Sequence, residues 1–266
     1  MSIPTLSSYP LPTVIPDNRL TWRFDPDRAA LLIHDMQRYF VNFYTGGFGQ
    51  LVDNVNRLRK LGLPTVYTAQ PPRQSPEHRG LLTDRWGPGL QGDAEIVSEL
   101  EPADTDLVLT KHRYSAFFDT SLREWLADSG RDQLIITGVY AHIGITATAL
   151  DAFSHNVKPF VVADAIADFT LERHALALDH LAVTCASVTT VDRLSPGITL
   201  EQVRTQVLAL LDEPADDEEN LIDAGLDSIR VMGLIETWRA AGFDVDFADL
   251  AAQPTIAGFH ARLVTA

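Results

Sequence analysis

Asp35, Gln70, Lys111, Tyr140 and Asp164 share one property: each follows, within three residues, the carboxyl end of a short and largely β-branched apolar run. In a parallel α/β sheet the ligand crevice lies beyond those ends, so the spacing predicts that carboxylate, carboxamide, ammonium and phenol groups converge from separate strands. Taken singly each has a plain structural role, Asp35 or Asp164 as a cap and Lys111 as a solvated charge. Taken together, a carboxylic acid beside an ammonium is equipment for proton transfer. Other chemistries lack their residues. The single cysteine, Cys185, sits at a helix end away from these strand termini, which argues against thiol catalysis and excludes an internal disulfide. There is no Gly-x-Ser-x-Gly, no HExxH and no GxGxxG after a strand. His34 and His142 read as hydrogen-bonded core imidazoles rather than ligands, so no metal is expected.

The elements that must position these groups alternate strand and helix. Ala29–Ile33, Pro64–Thr68, Asp106–Thr110, Gln133–Thr137, Pro159–Ala163 and Ala186–Thr190 are near-continuously apolar, the mark of strands covered on both faces. Between them Leu51–Leu61, Ser121–Ala127, Ile143–Ser154 and Leu171–Val183 carry helical spacing. The pattern predicts an α/β fold, a parallel doubly wound sheet with flanking helices. It stops near Leu194, at the turn residues Ser195-Pro196-Gly197. Residues 1–194 are therefore expected to form one domain, 195–198 a linker, and 199–266 a small all-α bundle. Its helices are expected over Leu200–Leu211, from about Ser228 to Ala241 before Gly242, and over Thr255–Leu263.

The chain of 266 residues has a net charge of −15, and Thr199–Ala266, with 13 acidic and 4 basic residues, carries −9 of it. That balance repels phosphate backbones and anionic bilayers, so neither nucleic acid nor membrane is an expected partner. No apolar run approaches the roughly 18 residues of a membrane span, and Met1–Asp17 has no leader pattern. A cytoplasmic location is expected, in keeping with the lone cysteine.

Six segments follow one another in order: LLIHDMQRYF (Leu31–Phe40), YTAQP (Tyr67–Pro71), RGLLTDRWGPGL (Arg79–Leu90), KHRYSAFF (Lys111–Phe118), GVYAHIG (Gly138–Gly144) and ADAIADF (Ala163–Phe169). In them the chain resembles the isochorismatase family, specifically the bifunctional isochorismate lyase–aryl carrier proteins of catechol siderophore synthesis. The wider cysteine hydrolase superfamily, nicotinamidases included, uses an Asp, a Lys and a Cys. Asp35 and Lys111 match the first two, but Gly144 stands where the thiol belongs. The resemblance thus implies cleavage of a vinyl ether rather than amide hydrolysis through an acyl enzyme.

Isochorismate is an enol ether whose terminal methylene accepts a proton. Asp35 is the implied general acid; water captures the oxocarbenium ion, and the hemiketal collapses to pyruvate and 2,3-dihydro-2,3-dihydroxybenzoate. Lys111 is expected to orient Asp35 or the ether oxygen, and Tyr140 to hydrogen-bond at the crevice wall. Gln70 and Arg79 are expected on the substrate's polar groups, the arginine as a carboxylate fork. A neighbouring ammonium lowers the pKa of Asp35, whereas donation near neutral pH needs it raised. Either desolvation by Phe40, Trp86 and Tyr140 wins, or Asp35 and Lys111 titrate as a coupled pair. Two alternatives stay open: the amino analogue of isochorismate as substrate, and an assembly platform whose α/β domain is inactive. A homodimer is expected by the same resemblance.

In the tail, Leu221-Ile222-Asp223-Ala224-Gly225-Leu226-Asp227-Ser228-Ile229 resembles the phosphopantetheine attachment motif of carrier proteins. Gly225 permits a tight turn, Asp227 caps the helix, and Ser228 is left at the helix start, where a phosphodiester is favoured. The resemblance implies 4′-phosphopantetheine on Ser228. It also implies three partners: a phosphopantetheinyl transferase, an aryl-AMP ligase and a downstream condensation-domain synthetase. The acidic surface would speed the approach of basic faces on such partners.

Overall fold

The computed structural model describes residues 5–46, 48–194, 198–240, 243 and 245–265. In chain order the strands are β1 (Leu6–Ser7), β2 (Ala29–His34), β3 (Tyr44–Thr45), β4 (Thr65–Ala69), β5 (Leu107–Thr110), β6 (Gln133–Val139), β7 (Lys158–Ala167) and β8 (Ser187–Thr189). The helices are α1 (Arg38–Val41), α2 (Gly49–Arg59), α3 (Pro76–Arg79), α4 (Leu82–Trp86), α5 (Leu122–Asp128), α6 (Thr146–Ser154), α7 (Leu171–Thr184) and α8 (Val191–Leu194). After these come α9 (Leu200–Leu208), α10 (Ser228–Ala240), α11 (Phe247–Ala252) and α12 (Ile256–Thr265). The chain divides into two compact units, one up to Val191 and one from Asp192. Among the described residues no helix is long and apolar enough to cross a membrane.

Six strands make a parallel sheet in the order β5-β4-β2-β6-β7-β8. Numbered by their own sequence this is 3-2-1-4-5-6, with the reversal of direction between β2 and β6, and a crevice opens beyond their carboxyl ends. β2 and β6 are buried along their whole length, as apolar runs covered on both faces must be. The core beneath includes Leu32, Ile136, Val161, Leu181 and Cys185, each large aliphatic contributing about 1.5–3 kcal/mol by leaving water. On α2 the buried stripe Leu51, Val55, Leu58 is the one the spacing predicts, while Leu61 lies in the turn past the helix.

Residues before Ala29 carry no such periodicity, yet they clamp the sheet. β1 pairs with β3, and the Tyr9 hydroxyl accepts from Asp168 N at 2.7 Å. The Asn18 side chain donates to Val188 O at 2.8 Å and accepts from Val188 N at 2.7 Å, which closes the free edge of β8. β7 runs four residues past the predicted end because a register shift against β6 lets pairing resume at Gly138 and Ile166. Asp164, expected at a strand terminus, therefore lies inside β7, where its carboxylate accepts from Val191 N at 2.8 Å and is not part of the crevice.

The second unit has its own core, in which Val203, Val207, Leu221, Ile235, Trp238 and Phe259 are buried. Ile198, expected in the linker, is buried in that core; Ser195, Pro196, Gly197, Ala241 and Gly242 lie outside the described residues. α11, which the periodicity did not suggest, starts in a capping box between Asp246 and Asp249.

Gly138 has φ +102°, and a Cβ there would lie 2.1 Å from the His34 carbonyl oxygen. Gly138→Ala should therefore cost at least about 3 kcal/mol through overpacking and a left-handed backbone, read as a lowered thermal midpoint of the first unit.

Candidate active site and carrier serine

The crevice is a cavity of about 600 Å³, counted with its mouth, walled by Phe40, Leu82, Trp86, Leu90, Tyr140 and Phe169 and floored by His34, Asp35 and Gly144. Asp35 sits one residue past β2 with φ +51°, a region Asp tolerates better than most residues. Its carboxylate is 4% exposed as a residue and fully engaged. The Thr68 hydroxyl donates to Oδ1 at 2.7 Å, Lys111 Nζ lies 2.8 Å from Oδ2, and Gln70 Nε2 donates to Oδ2 at 3.2 Å.

Lys111 is 1% exposed, and its Nζ also donates to Arg113 O at 2.9 Å and Tyr114 O at 3.1 Å. An ammonium has three protons and here three acceptors. All three are spent within the protein, an arrangement that fits the orienting of Asp35 rather than a contact to an ether oxygen. Burial pushes the Asp35 carboxyl up, but the Lys111 charge, with hydrogen bonds from Lys111 and Thr68, outweighs it and holds the group below the usual carboxylate range. Burial lowers the Lys111 pKa, with Asp35 opposing. Of the two readings open in the sequence, the direction at Asp35 goes against desolvation by Phe40, Trp86 and Tyr140 alone and favours the coupled pair: those rings face the cavity, while the cation touches the acid.

Arg79 is 4% exposed, its Nε donates to Gly87 O at 2.6 Å, and it has no carboxylate partner among the described residues. A buried guanidinium without a counter-ion is costly, and the charge it lacks is one that a ligand would supply. The Gln70 carboxamide lines the cavity, but its donor is turned to Asp35. The Tyr140 hydroxyl donates to Phe40 O at 2.7 Å, so the phenol offers the cavity its ring rather than its oxygen. Trp86 Nε1 donates to the Tyr114 hydroxyl at 2.8 Å across the mouth.

Several contributors escaped the sequence reading: Thr68, which belongs to the strand as well as the site, and Tyr39, Tyr114 and Phe169. The last two lie within the motifs KHRYSAFF and ADAIADF, which was the available signal. Asp168 follows β7 and is wholly buried; it accepts from His142 N at 2.7 Å and from the His142 ring, fixing the turn Ala141–Ile145 that carries Gly144. Both histidines read as core residues are hydrogen-bonded, His34 through Nδ1 to Val139 O at 2.8 Å. Among the described residues no three His, Cys, Asp or Glu side chains are grouped to share a metal.

In the second unit Ser228 is exposed and opens α10. Asp227 Oδ1 accepts from Ile229 N at 3.0 Å and Arg230 N at 2.8 Å, the cap the sequence predicts.

A parallel sheet with a paired Asp and Lys at its reversal point, joined to a helical unit with a serine exposed at a capped helix start, defines an α/β enzyme fused to a carrier. An isochorismatase domain model matches residues 29–193, and a phosphopantetheine attachment site model matches residues 201–263. Enterobactin synthase component B of Escherichia coli is 47% identical, covering 96% of this chain and 96% of that protein. The isochorismatase of Bacillus subtilis is 45% identical over 100% of this chain and 96% of its own. The fold is that of a cysteine hydrolase from Pseudomonas syringae, at a TM-score of 0.61 and 21% identity, over 68% of this chain and 96% of that one. The chain belongs to the isochorismatase family, and its second unit is a phosphopantetheine attachment domain.

Lys111→Met leaves the buried Asp35 carboxylate without its cation and should destabilise the first unit by about 3–5 kcal/mol in urea unfolding; Asp35→Asn added to it should restore part of the loss. Burial also holds His34 and His174 neutral, each pushed down from 6.5 to about 4. Their contribution is fully present above pH 6.5 and is lost as pH falls towards 4, since the unfolded chain then binds more protons. Urea titrations should show the proton uptake coupled to unfolding rise from near zero at pH 7.5 to about two near pH 5.

Proposed function

We propose that the first unit hydrolyses the enol-pyruvyl ether of isochorismate to pyruvate and 2,3-dihydro-2,3-dihydroxybenzoate. The second unit then carries a matured aryl acid as a thioester on phosphopantetheine at Ser228, for siderophore assembly. The observation that carries the first half is the pairing of a buried Arg79, without a carboxylate partner among the described residues, with an Asp35–Lys111 couple across one aromatic cavity. An anionic substrate answers the guanidinium, and its reacting carbon then lies beside Asp35, the only carboxylate among the described residues that line the cavity.

The resting charges set the order of events. Substrate carboxylate entering next to Asp35 opposes the Lys111 field and expels water, both of which raise the affinity of Asp35 for a proton. The proton passes from Nζ to Oδ2 across 2.8 Å and from there to the methylene carbon. The C=C pair becomes the new C–H bond, and the carboxylate left behind faces the oxocarbenium ion. Water adds at the cationic carbon and returns its proton to the couple. Breaking the hemiketal C–O bond then releases pyruvate and the diol, a net consumption of one water.

Ser228 suits the prosthetic group. Its hydroxyl is exposed at the start of α10, where the helix dipole favours a phosphodiester. The group supplies a thiol on a flexible arm; the chain's own part is to cap and present the serine. The transferase, the aryl-AMP ligase and the condensation-domain synthetase belong to this proposal as partners, as do a homodimer and a cytoplasmic setting.

Asp35→Asn should lower kcat for pyruvate release from isochorismate by about 10²–10⁴-fold with little change in KM. An undiminished rate would remove Asp35 as the acid. Incubation with coenzyme A and a phosphopantetheinyl transferase should add one pantetheine-sized mass to the intact chain and none to Ser228→Ala; addition to both would place the attachment elsewhere.

A further inference from the structure

His34 has no part in the steps above, although it stands next to Asp35 in the chain and lines the same cavity floor. It is 0% exposed, with Nδ1 at 2.8 Å from Val139 O and Nε2 at 3.4 Å from Tyr114 O. A neutral imidazole has a single N–H, and the shorter contact takes it, which leaves the ring in one orientation.

That orientation has a steric result. A Cβ on Gly144 would lie 2.3 Å from His34 Cε1, 2.9 Å from Nε2 and 3.2 Å from Nδ1, so the three nearest atoms all belong to this one ring. Gly144 is buried in the turn Ala141–Ile145 and, unlike Gly138, does not have a positive φ. Backbone conformation therefore does not demand glycine at 144. The imidazole does.

We propose that His34 is a specificity-determining residue of this site: its ring occupies the volume of a side chain at position 144 and thereby closes the cavity floor beside Asp35 to any nucleophile of the protein. The cation formed in the cavity is then left to water, and the backbone at 144 is what meets the ligand there. The chemistry of substrate that such a floor admits is one needing proton transfer without covalent capture. The steric claim stands on its own geometry; its catalytic consequence rests on the vinyl-ether reading.

Two assays on the intact chain separate the two. Gly144→Ala should lower kcat/KM for pyruvate release at least tenfold, and adding His34→Ala should bring the value back to within threefold of His34→Ala alone, since neighbours that share one volume do not act independently. Wild-type activity in Gly144→Ala, or a deeper loss in the double variant, would overturn the proposal. In the second assay Gly144→Cys is compared with His34→Ala/Gly144→Cys by iodoacetamide labelling and peptide mapping. Cys185 is 1% exposed and burial pushes its thiol pKa up, so the background is silent. Labelling at 144 should be at least tenfold faster in the double variant, and equal rates would sink the idea. Should Gly144→Cys fail to fold, return of the thermal transition in the double variant carries the same meaning, and its failure to return counts against the proposal. If the wild-type chain itself releases no pyruvate, the vinyl-ether reading falls while the labelling comparison still judges His34.

Discussion

Removing a carboxylate and an ammonium from water together is the constraint on which the first unit is organised. Neither Asp35 nor Lys111 is tolerable there alone, and their attraction offsets the lost hydration only if every remaining lone pair and proton is satisfied. Three neighbouring strands supply the partners: Asp35 follows β2, β4 and the residue after it bring Thr68 and Gln70, and the segment after β5 offers the carbonyls of Arg113 and Tyr114. The sheet order is thus a condition of the charge arrangement. A slip of one residue in β4 would exchange the faces of Thr68 and its neighbours and strip a hydrogen bond from the acid.

Much of this was legible in the residues, and the reason is periodicity. Strands buried on both faces must be apolar throughout, so the central strands declare themselves, the half-exposed edge strand β5 shares their apolar run, and the first residues that break the runs are those facing the crevice. Asp35, Gln70 and Lys111 were found that way. Asp164 misled because Ala165, Ile166 and Ala167 prolong β7 beyond a polar residue that the register shift turns away from the cavity. Side-chain aim was not legible either. The Gln70 donor, expected on a ligand, is turned to Asp35, and the hydrogen bond expected of Tyr140 at the crevice wall goes to Phe40 O. Thr68 lies within the motif YTAQP but was not singled out, since a threonine inside a β-branched run looks like any other strand residue. The sign of the Asp35 shift depended on a distance between two chain-distant atoms, which no one-dimensional pattern contains.

The two proposed functional residues sit in opposite environments. Asp35 lies where water is scarce and each dipole counts for more, whereas Ser228 is exposed in the more acidic part of the sequence, where encounters are governed by long-range fields and by salt. Cap and turn chemistry made the serine easy to read, because the signals lie within nine consecutive residues.

One consequence follows from where the chain keeps its sulfur. Cys185 is packed among aliphatic side chains under the sheet, and it is the sole cysteine of the sequence. An acyl group tethered to a pantetheine arm on Ser228 would find no second sulfhydryl of the same molecule to migrate to by thioester exchange. The cargo could leave only to water or to an acceptor brought by another protein.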